Sequence, residues 1–237
     1  MLLPKMRMLN TGSSAWGVRV RMAIYAKGDA LERQVEFMAP AGSLNRPIFT
    51  QQYRFGRVPT LWFDDGTILQ ESEAIMEFID ELVPDPPLKP DDILDRARMR
   101  MIVRLADDGI VGPLKVLFVN RDPQRRDATA VARALESMAD GFDRVEHYLD
   151  DGGFAVGDRL TLADCTLVPA IWLVEDFRRF FAADSPLERR PKCAFYWSRI
   201  PQHPVVRRII PEMRAHLDAA RAARIAAQES GQDAAPG

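Results

Sequence analysis

VPTLWFDDGTILQESEAIMEFIDEL, residues 58–82, is the stretch from which the rest of the chain is read. Val58 to Phe63 is a short β-rich run, Asp64-Asp65-Gly66 is a turn, and Thr67-Ile68-Leu69 is a second run. Two such runs around an Asp-Gly turn predict a β-hairpin. From Glu71 the period changes, and Ile75, Phe78, Ile79 and Leu82 fall on one side of a helix. A hairpin leading directly into a helix closes a small mixed sheet covered by helices.

Working upstream, Met6 to Leu9 reads as a first strand. Val18 to Lys27 reads as a helix, with Val20, Met22 and Ile24 between basic residues and Gly28 as its stop. Leu31 to Met38 predicts a second strand, through Leu31, Val35 and Phe37. Residues 40–56 carry Pro40, Gly42, Pro47 and Gly56, which break any long element. The order β-α-β-(α)-β-β-α gives an α/β first domain, residues 1–83.

Downstream, Pro84-Asp85-Pro86-Pro87-Leu88-Lys89-Pro90 can neither continue a helix nor centre a strand, so residues 84–90 read as a semi-rigid linker. Residues 91–227 read as an all-helical second domain, and 228–237 as a small, polar, frayed tail. Asp91 to Val119 is one periodic segment in which Pro113 predicts a bend. Asp127 to Leu149 places Val131, Leu135, Met138, Phe142, Val145 and Leu149 on one face. Thr161-Leu162-Ala163-Asp164 opens a further helix with a capping box, flanked by Leu160 and Cys165 as a hydrophobic staple. Helices also run to Tyr196-Trp197 and from Val205.

The 237 residues are 47% hydrophobic and 28% charged, an ordinary globular balance. A net charge of -2 points to neither nucleic acid nor an anionic membrane as partner. The two cysteines, Cys165 and Cys193, fit neither a metal site nor a redox pair, and His147, His203 and His216 have no partner at metal-ligand spacing. No apolar run suits a signal peptide or a membrane span, so the expected location is the cytoplasm.

The ordered pieces resemble the glutathione transferase superfamily over residues 5 to about 220. They are Ser13-Ser14-Ala15-Trp16 leading into Val18-Arg19-Val20-Arg21, then Gly56-Arg57-Val58-Pro59, then Gln70-Glu71-Ser72-Glu73-Ala74-Ile75. Gly157-Asp158-Arg159-Leu160-Thr161-Leu162-Ala163-Asp164 and His203-Pro204 complete the set. The resemblance implies a thioredoxin-like domain followed by an all-α domain, with glutathione as co-substrate.

It implies that Arg57, Val58, Pro59, Glu71 and Ser72 bind glutathione. Val58 would offer main-chain pairing beside a cis Pro59. Glu71 would meet the ammonium group, and Ser72 with the helix amides would meet the carboxylate. Ser14, with Ser13 as runner-up, would stabilise the thiolate, since a free thiol has a pKa of about 8.5. The plain alternative is that these serines are N-caps.

Asp108, beside Asp107, would reach the ligand from a neighbouring subunit of a homodimer, or else is a solvated acid. Trp16 and Ile110, with Met99, Ile102, Val103 and Leu105, would line an apolar pocket for a hydrophobic electrophile. Trp62, Trp172 and Trp197 are assigned to the core or an interface, and Thr161 and Asp164 wholly to folding.

The start is similar to the zeta class, whose motif runs Ser-Ser-Cys-Ser-Trp-Arg-Val-Arg. Ala15, Trp16, Gly17 and Val18 depart from that motif, its cysteine is missing, and Glu71 replaces a glutamine. The expected activity is therefore addition of the glutathione thiolate to an electrophile. Glutathione-dependent isomerisation, ether cleavage or dehalogenation are alternatives, and a non-catalytic interaction module is another.

Overall fold

The computed structural model describes residues 3–39 and 57–229. Residues 40–56, with Gly56 and any helix between the second and third strands, and the tail from 230 lie outside them. The chain divides into two compact units, residues 1–86 with 207–237, and residues 87–206.

In the first unit, β1 (Met6–Leu9) leads to α1 (Ala15–Ala26), α2 (Asp29–Glu32) and β2 (Val35–Met38). The hairpin β3 (Thr60–Phe63) and β4 (Ile68–Gln70) then leads to α3 (Ser72–Leu82). The strand order is β2-β1-β3-β4, with β1/β2 parallel and the other pairs antiparallel. The turn at Gly66 has φ +87°, a left-handed conformation that glycine adopts without steric cost. Met8, Leu9, Leu61, Ile75, Met76 and Ile79 form the core between sheet and helices with at most 1% exposure.

The expected strand 31–38 is shorter than its sequence pattern. Gly28, at φ +84°, turns the chain out of α1. The amide of Glu32 then bonds Gly28 O at 3.2 Å and that of Arg33 bonds Asp29 O at 3.1 Å, so Leu31 enters the core from a helical turn. The proline-rich segment is fastened at its start: Lys27 Nζ donates to Asp80 and to Pro86 O, both at 2.6 Å.

The second unit contains α4 (Ile93–Ala106), a π-helical stretch at Asp107–Val111, α5 (Gly112–Val119), α6 (Ala128–Tyr148), α7 (Leu162–Phe177) and α8 (Pro191–Arg199). The break expected at Pro113 falls just before it. Proline has no N–H to give to residue 109, and the amide of Gly112 bonds back five residues to Asp107 O. Gly109 lies against Gly141 of α6, where a methyl group would sit 2.7 Å from the Gly141 Cα. On the expected α6 face Val131, Met138, Phe142, Val145 and Leu149 are buried, while Leu135 is half-buried.

α9 (Pro204–Glu229) crosses the division. The helical domain expected at 91–227 thus differs at its end, because from Arg207 the chain belongs to the first unit. The physical ties are explicit: Arg208 makes two hydrogen bonds to the Glu32 carboxylate, and its guanidinium lies 3.6 Å from the Tyr25 ring centre. Among the described residues no helix is long and apolar enough to cross a membrane.

Candidate active site

Strand register assembles the site. Leu9 at the end of β1 stands opposite Thr60 at the start of β3, and Thr60 stands opposite Gln70 at the end of β4. With neighbouring strands about 4.8 Å apart, these three residues span roughly 10 Å of one sheet edge. The chain leaving Leu9 carries Ser13 and Ser14, the chain entering Thr60 carries Arg57, Val58 and Pro59, and the chain leaving Gln70 carries Glu71 and Ser72. Three segments distant in sequence therefore open at the same end of the sheet. Gln70 Nε2 donates to Thr60 Oγ1 at 3.3 Å, and Thr60 Oγ1 donates to Arg57 O at 2.8 Å, tying two of them together.

Ser14 is the N-cap of α1 and its Oγ accepts the Gly17 amide at 3.5 Å, the long limit of a hydrogen bond. The hydroxyl hydrogen stays available to another acceptor. Ser13 precedes it in the turn and is half-buried. Trp16, in the first turn of α1, is also half-buried.

The Val58-Pro59 peptide bond is cis. Among the described residues the Val58 main chain has no hydrogen-bond partner. Pro59 is buried and Arg57 exposed.

Glu71 has φ +67°, a conformation that costs a non-glycine residue about 1–3 kcal/mol. Such strain gathers at ligand clamps, and here it turns an almost fully exposed carboxylate outward at 3.9 Å from the equally exposed Arg57 guanidinium. A pair so open contributes little to stability but presents both signs of charge to a zwitterion. Glu71 places no side-chain cap on α3, and Ser72 is buried at the first helical position. The positive end of that helix's dipole favours an anion at this place.

Two expected residues belong to the second unit. Ile110 is wholly buried within the second unit, as are Met99 and Ile102, with Val103 nearly so; they are core, and only Leu105 of that wall is half-buried. Asp108 lies on the surface of the π-helical stretch, in an ion pair with Arg104 at 2.8 Å. Thr161 and Asp164 are buried. Burial pushes the Asp164 carboxyl up to about 6, against the hydrogen bonds it accepts. Among the described residues no group of three or more His, Cys, Asp and Glu could hold a metal ion.

Two neighbours of the serine segment carried no sequence signal. Asn10 is buried, and its Oδ1 lies against Gly17 without a hydrogen-bond partner. The imidazole of His216, from α9, covers Gly12.

Residues 13–82 match the glutathione S-transferase N-terminal domain and residues 107–204 the glutathione S-transferase C-terminal domain. The maleylacetoacetate isomerase of Pseudomonas aeruginosa is 34% identical over 163 residues, 67% of this chain and 76% of that protein. A solved maleylpyruvate isomerase, described as a bacterial zeta-class glutathione S-transferase, is 27% identical, with a TM-score of 0.69 over 86% of this chain and 95% of that one. A glutathione S-transferase from Methylobacterium radiotolerans, solved with glutathione sulfonate, is 25% identical, with a TM-score of 0.68 over 85% of this chain and 92% of that one.

Proposed function

Since the chain belongs to the glutathione S-transferase family, we propose that it is a glutathione-dependent cis–trans isomerase of a maleyl-type oxo acid. The relatives favour this over the conjugation expected first. The missing zeta-class cysteine does not oppose it, because the sulfur that attacks the substrate need not come from the protein.

The observation that carries the glutathione reading is the register that brings Ser14, Val58 and Glu71-Ser72 to one sheet edge. The residues there fit the tripeptide: Glu71 suits its ammonium, Ser72 and the positive end of α3 its carboxylate, and the Val58 main chain its middle. When bound, glutathione supplies the sulfur that adds to the double bond and leaves after the carbon–carbon bond has turned.

Ser14 acts on that sulfur. Its oxygen already accepts the Gly17 amide, so its hydrogen points the other way and favours the thiolate over the thiol. The positive end of the α1 dipole works in the same direction. Trp16, in the first turn of that helix, is the wall residue we assign to the substrate.

The test is isomerisation of maleylacetoacetate or maleylpyruvate followed by absorbance, with free glutathione measured in parallel. Turnover that requires glutathione without consuming it is the expected result. One glutathione consumed per substrate returns the reading to conjugation. Failure to bind glutathione leaves an interaction module. The homodimer expected from the family is checked by sedimentation.

A further inference from the structure

The last helix lies far in sequence from the serine segment, and its contacts follow one line. Arg208, Glu212 and His216 are spaced four residues apart and so share one face of α9. Arg208 holds Glu32 and covers the Tyr25 ring. Glu212 accepts the Tyr25 hydroxyl at 3.1 Å and pairs with Arg21. The His216 ring covers Gly12, two residues before Ser14. Along α9 the contacts advance, while along the first unit they step back from Glu32 and Tyr25 to Arg21 and then Gly12. At 1.5 Å per residue the stripe covers about 12 Å. Beside it, Val206, Ile209, Met213 and Leu217 are buried.

The third contact is a close one. A methyl group on Gly12 would overlap Cγ, Cδ2 and Nε2 of His216, so the backbone and the imidazole are in direct contact. Gly12 is buried although His216 itself is exposed. The ring is therefore the cover over this part of the segment. Within the segment, the Oδ1 of Asn10 occupies the place a side chain at Gly17 would need. Residues 10–17 are thus held at both glycines, together with the bonds from the Ser14 amide to Thr11 O at 3.1 Å and from the Val18 amide to Ser14 O at 2.8 Å, while the Ser14 cap bond is long at 3.5 Å.

We propose that His216 is a positioning residue of the active site, holding the Gly12–Ser14 backbone so that the Ser14 hydroxyl meets the bound sulfur. This rests on the glutathione reading for its consequence, though not for the contact itself. The ring acts by packing, and α9 is the strut that carries it.

Two readouts separate the parts. Hydrogen exchange of residues 12–17, without any ligand, reads the clamp. His216→Ala should speed it on the order of tenfold while β1 and α3 keep their protection, which also shows that the variant folds. His216→Phe, which keeps a ring, should restore slow exchange.

Titration of thiolate absorbance with bound glutathione reads the consequence. His216→Ala should raise the thiol pKa by about half a unit, with glutathione affinity held within about twofold by the Val58 and Glu71-Ser72 segments. Gly12→Ala should harm the wild type more than the His216→Ala background, where the methyl group has room.

Unchanged exchange in His216→Ala, or a folded His216→Phe that fails to rescue, overturns the clamp. Faster exchange with an unmoved thiol pKa overturns the positioning role. A wild type that binds no glutathione overturns the functional reading and leaves the exchange result to decide the clamp.

Discussion

Three helix starts in this chain differ in how fully their caps are satisfied. At α7, Asp164 accepts the Thr161 amide at 2.7 Å, the Ala155 amide at 2.8 Å and the Thr161 hydroxyl at 2.9 Å, all out of contact with water. At α1, Ser14 accepts one amide at 3.5 Å and keeps its hydrogen, while α3 has no side-chain cap. The first start is saturated and holds the fold. The other two lack a saturating side-chain cap, and they are the two starts to which the proposed function assigns glutathione. A cap motif therefore does not declare its use; whether its donors and acceptors are already satisfied does.

The contrast breaks first at Asp164. Asp164→Ala leaves three donors buried without an acceptor and should cost about 3 kcal/mol in urea unfolding, with glutathione affinity of the folded fraction unchanged. The pH dependence sharpens this. Burial raises the carboxyl to about 6, whereas in the unfolded chain it titrates near 3.9, so the folded state holds this proton more tightly. Its contribution to stability then falls as pH rises from about 4 to about 6 and is level above. The gap in urea midpoint between wild type and Asp164→Asn should therefore shrink over that window.

Ser14→Ala should do the reverse, lowering turnover about 100-fold and raising the bound thiol's pKa, while unfolding free energy changes by at most about 1 kcal/mol. A stability loss like that of Asp164, with turnover intact, would return Ser14 to the status of a plain cap. Ser72→Ala should weaken glutathione binding about tenfold by calorimetry, the effect of one charge-assisted hydrogen bond. At the small end, Asp108→Ala should alter glutathione affinity by less than about twofold, because its carboxylate is exposed and already paired with Arg104. A larger loss would restore it as a ligand from a neighbouring subunit.

Elements with a complete local signal were legible in the sequence. The Asp-Gly hairpin, the 75-78-79-82 spacing and the Thr161–Asp164 box each contain their own cause within a few residues. Val58, Pro59, Glu71 and Ser72 were singled out by resemblance, as a set in a fixed order, and the register opens their segments at one end of the sheet. The strand proposed from Leu31 was misread because an apolar run does not reveal that Gly28 and Asp29 start a turn of helix. The burial of Ile110 was not legible, because helical spacing marks an apolar face without saying whether it meets solvent or another helix, and here α4 and the π-helical stretch pack against α6 and α7. The positive φ of Glu71 had no sequence signal, since nothing in a glutamate asks for it.

The sequence by itself determined the period of each element, the turns between them and the family to which their order belongs, because these depend on neighbours along the chain. Only the tertiary structure decided that Leu9, Thr60 and Gln70 align at one sheet edge, that Ile110 is core, and that His216 reaches Gly12. Those are contacts between residues far apart in the chain, and they are set by strand register and helix packing, which no local run of residues encodes.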